Sequence, residues 1–254
     1  MTTENIGQNQ VDIGTVVNVV RETPGIYTVY LKNDAAKFAG RKAGQFMSIG
    51  MMGPSGWSRT HPFTISCAPE ESLLSLTIKK EGEFTSAIPD LRPGTILKCM
   101  GPFGVFCKNI DEKPSIVMMA GGVGITPFLS VLRHFRTTGA GNKVILFWVN
   151  KTMEDVFRIE ELNEMTRNLN LTVVHCLSRE DDAGRYFQPD YAHVRYEKGR
   201  LSGEILKTHG AAGGAAFYLC GPSPMMESAL KELGVLQVDP AAVEQERFAW
   251  GKKA

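Results

Sequence analysis

The stretch MAGGVGITPF, residues 119–128, places Gly121, Gly122 and Gly124 between an apolar run and an amphipathic one. Glycines let a backbone turn sharply and approach a ligand closely. Thr126 can cap the helix that follows, and Pro127 suits its first turn. A helix N-terminus there offers unpaired N–H groups and a positive dipole end to a phosphate or pyrophosphate. A plain strand-to-helix turn needs at most one glycine, so the triplet favours phosphate binding, although its spacing is not G-x-G-x-x-G.

Four more stretches carry chemistry-bearing residues. YLCGPSPMM, 218–226, sets Cys220, Gly221, Pro222 and Met225 at the end of an apolar strand, the edge where open α/β sheets bind ligands. A buried cysteine is otherwise a small apolar filler. LSRE, 177–180, ends another such strand. There Arg179 can form a forked pair with a phosphate and Ser178 can donate to it; a solvated loop arginine fits the same letters. GEFTSAIP, 82–89, gathers Gly82, Thr85 and Ser86 ahead of a short helical stretch, which suits an anion or a simple helix cap. RTHPFTIS, 59–66, alternates like a strand yet holds Pro62, which places it at a sheet margin or at the start of a strand.

The elements that must position these residues fall into two halves. IGTVVNVVRE, IYTVYLK, GQFMSIGM, RTHPFTIS, LLSLTIKK and TILKCMGPFG read as six short strands punctuated by Gly or Pro, which predicts an antiparallel barrel. Near KNIDEKP, 108–114, the pattern changes. PSIVMMA, KVILFWVN, NLTVVHCLS and AAFYLCG alternate with the helical stretches TPFLSVLRHFRTTG, EDVFRIEELNEMTRN and SPMMESALKELG. Continuous apolar strands between amphipathic helices predict a parallel sheet covered on both faces. The expected division is 11–111 and 112–254, with GAAGGAA, 210–216, as a flexible loop.

Composition excludes several classes. An apolar share of 43% and a charged share of 22% are globular values, and a net charge of +1 offers no general attraction to nucleic acid or anionic lipid. The five cysteines contain no C-x-x-C pair, which argues against zinc and against an iron–sulfur cluster held by this chain. The polar opening MTTENIGQNQ lacks a signal-peptide core, and no apolar run approaches a membrane span, so a cytoplasmic location is expected.

Taken in order, HPFTIS, GEFTSA, GGVGITP, CGPSPMM and the late ERF resemble the ferredoxin–NADP reductase superfamily, over about residues 11 to 250. The resemblance implies a flavin-binding Greek-key β-barrel followed by a Rossmann-like pyridine-nucleotide domain. It implies FAD as cofactor and NADPH or NADH as hydride donor, with a separate redox protein of the ferredoxin or flavodoxin class as acceptor. By position, Phe63 matches the aromatic that packs on the flavin ring, with Pro62, Ile65 and Ser66 around it, and Thr64 matches the hydroxyl near N5. Gly82, Phe84, Thr85 and Ser86 match the flavin phosphate region. Cys220 matches the cysteine beside the nicotinamide, and Glu246 and Phe248 match the acid and aromatic on the flavin's other face. The catalytic set implied is thus Thr64, Cys220, Glu246 and Phe248.

Departures sharpen the expectations. His61 stands where most members carry arginine; the HPFT form is similar to the flavin domains of NADPH oxidases and ferric reductases, and Arg59 can supply the missing charge. The chain continues past Phe248, so Trp250 is a second candidate for stacking. Ser178, Arg179 and the later Arg185-Tyr186 resemble a 2′-phosphate site, which favours NADPH. Two rival readings stay open: a ferric or free-flavin reductase, and an electron-transfer subunit of a larger redox complex.

Overall fold

The computed structural model describes residues 12–211 and 213–248; Trp250 and residue 11 lie outside them. The first half supplies β1 (Asp12–Thr23), β2 (Ile26–Lys32), a one-turn helix α1 (Ala36–Ala39), β3 (Phe46–Gly53), β4 (Gly56–Trp57), β5 (His61–Thr64), β6 (Leu74–Lys79), a one-turn helix α2 (Glu83–Ser86) and β7 (Ile96–Phe103). Neighbours run β4-β3-β7-β1-β2-β6, all antiparallel, with β5 beside β3. A bridge from Ile65 to Leu76 ties the end of β5 back to β6 and closes the barrel. Inward alternation fills its interior with Val16, Val29, Leu31, Met47, Ile49, Leu76, Ile78 and Leu97.

The second half supplies β8 (Ser115–Gly121), α3 (Thr126–Thr138), β9 (Lys143–Asn150), α4 (Ile159–Asn168), β10 (Leu171–Leu177), β11 (Val194–Lys198), α5 (Gly203–Thr208), β12 (Ala216–Cys220), α6 (Ser223–Val235) and β13 (Val243–Glu246). The sheet is parallel in the order β11-β10-β9-β8-β12-β13. Its central strands are buried on both faces, with Met118, Leu146 and Trp148 toward one helix layer and Val117, Met119 and Phe147 toward the other. Ile26, Ala43, Phe106 and Cys107 from the first half join the first of these clusters, so the two halves share packing.

Several local expectations change. Ile125, not Thr126, is the cap position of α3; Thr126 is its first residue and its hydroxyl donates to the Val123 carbonyl at 3.0 Å. The helix expected over 154–168 begins only at Ile159, because Thr152 and Asp155 close a separate turn and Arg158 adopts a left-handed φ of 55°. α1, β4, β11, α5 and β13 are additional to the sequence reading. β11, VRYEK, and β13, VEQE, are too short and too charged to show a strand period of their own.

Candidate active site

A cleft of about 810 Å³ runs between the outside of the barrel and the second half. β5 forms one wall, with His61, Pro62, Phe63 and Thr64. Gly82 and the α2 residues Phe84 and Thr85 add to it, and Val123, Thr126, Glu246, Arg247 and Phe248 also line the cleft. Alternation along β5 sets His61 and Phe63 on one side, where both stack on Phe84: the ring centroids are 4.2 Å and 6.0 Å apart, at interplanar angles of 28° and 19°. Two motifs that are separate in sequence thus form one aromatic stack.

Thr64 is buried and its Oγ1 has no hydrogen-bond partner. Buried hydroxyls are rarely left so, and this one belongs to a residue that lines the cleft. Across from it, Oε2 of Glu246 is also buried without a partner, and burial raises that carboxyl to about 7. Phe248 is half-buried and packs against the cluster that contains Phe128 and Cys220. Aromatic lining residues, an unmatched hydroxyl and a carboxyl held partly protonated fit a planar heteroaromatic ring with polar edge atoms, as the isoalloxazine of a flavin is.

Other expected residues have different employment. Ile65 and Ser66 lie inside the barrel, because the bridge to Leu76 carries the chain inward; the Ser66 hydroxyl bonds to those of Ser75 and Thr77 at 2.9 and 3.2 Å. The Thr85 hydroxyl accepts from the N–H groups of Glu81 and Gly82 at 2.9 Å, so it shapes its own loop, while Ser86 stays exposed. Arg59 is exposed and does not line the cleft, whereas His61 does.

The glycine triplet divides by purpose. A Cβ on Gly124 would meet the Cys220 carbonyl oxygen at 2.3 Å, and one on Gly121 would meet Met225 and Pro222 at 2.8 Å. Those two glycines let the β8 and β12 loops touch. Gly122, with φ of 52° and open space where a Cβ would stand, makes no such close approach, and its carbonyl accepts from the buried Trp148 Nε1 at 2.9 Å. Gly221 sits in the same contact, tight against Met225 and Gly121.

Cys220 is wholly buried, and its thiol is pushed well above the ordinary value by burial and then by the Glu246 charge. It is a neutral thiol, unsuited to nucleophilic work. Ser178, Arg179 and Arg185 are exposed after β10, three places from β12 in the sheet order, and so stand apart from the cleft along the carboxyl edge. Arg185 bonds Glu180 at 3.0 Å and the Tyr186 hydroxyl at 2.5 Å. Among the described residues no group of three or more His, Cys, Asp or Glu side chains could hold a metal, and no helix is long and apolar enough to cross a membrane.

Sequence reasoning missed Phe46, Ser58, Thr77 and Val123, which also line the cleft. Phe46 is the first residue of β3 and lies in the expected strand GQFMSIGM, where a lone aromatic carries no functional signal of its own.

Residues 20–93 match the family described as FAD-binding domain, and residues 118–231 match the one described as oxidoreductase NAD-binding domain. The propane 2-monooxygenase reductase component of Rhodococcus jostii is 32% identical over 154 residues, covering 60% of this chain and 40% of that protein. With the corresponding proteins of Mycolicibacterium goodii and M. smegmatis, 52% and 62% covered, the chain spans about half the length of the curated relatives it matches. Among solved structures, the flavohem-like FAD/NAD-binding domain of nitric oxide dioxygenase from Vibrio cholerae shares 19% identity at a TM-score of 0.76, covering 94% of this chain and 98% of that one. A ferredoxin NADP+ reductase from Neisseria gonorrhoeae with bound FAD and NADP shares 18% at 0.73, covering 92% and 97%.

Proposed function

Since the chain belongs to the ferredoxin–NADP reductase superfamily, with an FAD-binding domain followed by an oxidoreductase NAD-binding domain, we propose that it is an FAD-dependent NAD(P)H oxidoreductase serving a separate electron acceptor. The observation that carries this reading is the shared cleft. The β5 residues Phe63 and Thr64, the α3 residue Thr126 and the late residues Glu246 and Phe248 all open on it. Bound FAD would supply the capacity to take a hydride from a nicotinamide and release its electrons singly.

The residues would divide the work as follows. Phe63 and Phe248 hold the ring from either side, and Thr64 Oγ1 donates to a ring-edge acceptor, which ends its isolation. Glu246, poised near neutrality, holds or yields a proton beside the ring. Gly122 admits the nucleotide pyrophosphate, and Ser178 and Arg179 meet a 2′-phosphate at the far end of the sheet edge. NADPH is therefore preferred to NADH. We propose the division between the two domains at residues 111 and 112; that point falls in the segment linking β7 to β8, which supports it.

A second reading, an electron-transfer component of a larger redox complex, is favoured by the naming of the first relatives as reductase components. The acceptor is then a protein partner of that complex and not a freely diffusing ferredoxin or flavodoxin. Anaerobic titration with NADPH and then NADH, following flavin absorbance, tests the reductase reading. Bleaching by either nucleotide is expected, at lower concentrations of NADPH; a flavin-loaded protein that neither nucleotide bleaches would overturn it.

A further inference from the structure

One face of α3 points at the barrel, and it is polar. Thr126, Ser130 and Arg133 recur at i, i+4 and i+7, so they share a stripe along the helix. All three are buried, at 1%, 1% and 8% exposure. Thr126 lines the cleft at the first turn. One turn on, the Ser130 hydroxyl donates to the Cys67 carbonyl at 2.7 Å. At the next, Arg133 Nη1 donates to the Ser66 carbonyl at 2.7 Å, while Nε and Nη2 form a forked pair with Glu161 of α4, both at 2.7 Å.

These bonds end two and three residues after Thr64, in the segment that directly continues the strand carrying Phe63 into the cleft. One rigid helix thus grips the flavin-contact strand with two of its turns and presents the nucleotide loop with its first. A buried ion pair adds little to stability compared with apolar packing of the same volume. What Arg133 provides, and an apolar residue cannot, is a directed donor to one backbone oxygen, with Glu161 fixing the plane of the guanidinium.

We propose that Arg133, supported by Ser130, is a positioning residue for hydride transfer: through the carbonyls of Ser66 and Cys67 it sets the distance between the Thr64 strand and the nucleotide loop. The inference rests on the reductase reading above. Hydride transfer needs donor and acceptor atoms in near-attack contact, and a displacement of about 1 Å can cost roughly a hundredfold in rate. The two sides of this reaction belong to different sheets, so some element must fix their separation, and α3 touches both.

The test compares the flavin-loaded parent with the double variant Arg133→Met/Glu161→Met, which leaves no unpaired buried charge, and with Ser130→Ala. Flavin content and photochemical flavin reduction, which needs no nucleotide, should match the parent. Flavin bleaching at saturating NADPH should slow at least ~10-fold in the double variant and ~3-fold in Ser130→Ala, with nucleotide Kd changed less than ~2-fold. In flavin-free protein, amide exchange over residues 64–68 should quicken. Bleaching at the parental rate in a variant that holds its flavin overturns the inference, and Ser130→Ala decides it where the double variant loses flavin. A parent that neither NADPH nor NADH bleaches overturns the reductase reading as well, which separates the two failures.

Discussion

Cys220 and Glu246 are cross-strand partners, the last pair of the parallel β12–β13 ladder. That register sets a carboxyl against a thiol in a buried corner beside the cleft. Burial raises both groups, and the Glu246 charge adds to the rise at Cys220. The neutral forms are the ones the corner favours.

Stability should depend on Glu246 with a definite sign. Its carboxyl moves from 4.5 up to about 7 on folding, so between those values the folded state holds the proton more tightly than the unfolded chain. The Glu246 contribution is most favourable below that window and falls as pH rises through it, by roughly 3 kcal/mol at 1.36 kcal/mol per unit. Glu246→Gln should remove this slope. Urea midpoints of flavin-free parent and variant at about pH 5 and about pH 8 measure the difference. Equal slopes would refute the assignment.

Gly124→Ala should be severe. Its new methyl would stand 2.3 Å from the Cys220 carbonyl oxygen, which is backbone and cannot swing away. A loss of at least about 2 kcal/mol is expected, with weakened nucleotide binding as the β12 end shifts. Gly122→Ala meets no atom within 4 Å but must hold φ at 52°, so its cost should be nearer about 1 kcal/mol. Thermal melts of the two variants side by side would reveal a reversed order if the glycine roles were assigned wrongly.

Thr64→Val should separate stability from function. In flavin-free protein it removes a buried hydroxyl that lacks a partner, and a gain of about 1 kcal/mol is expected. In the loaded protein it removes a donor to the ring edge, so flavin bleaching by NADPH should slow at least about tenfold. Denaturant melts and rapid-mixing absorbance read the two effects. A variant with lower stability and an unchanged rate would place Thr64 in the core and not in the site.

Arg179→Ala tests nucleotide choice. The side chain stands exposed after β10, where a 2′-phosphate would supply a charge-assisted partner. The KM for NADPH should rise about tenfold or more, and that for NADH by less than about twofold. Steady-state kinetics with both donors gives the ratio, and equal rises would move the 2′-phosphate contact to another residue. Arg185, already held by Glu180 and Tyr186, is the first alternative.

Much of the fold was legible because its signals are local. Six barrel strands show alternation and Gly or Pro boundaries, and β8, β9, β10 and β12 are apolar runs of strand length. β13 was not legible. VEQE is a strand only because it lies along β12, and without it Glu246 has no place beside Cys220. The flavin-contact segment was half legible. Alternation located the strand and the resemblance of HPFT to the flavin motif singled out Phe63 and Thr64, but the bridge that turns Ile65 and Ser66 into the barrel comes from Leu76.

The sequence by itself determined the two-part plan, the order of the five motifs and the residue types at the cleft, because each is written in neighbouring positions. Only the tertiary structure decided which of those residues meet. Phe84 lies against His61 and Phe63, two glycines of the triplet serve loop packing, and Arg133 reaches the Ser66 carbonyl from 67 residues away. Such pairings depend on how whole elements pack, and a local period of two or 3.6 residues carries no information about a partner that far along the chain.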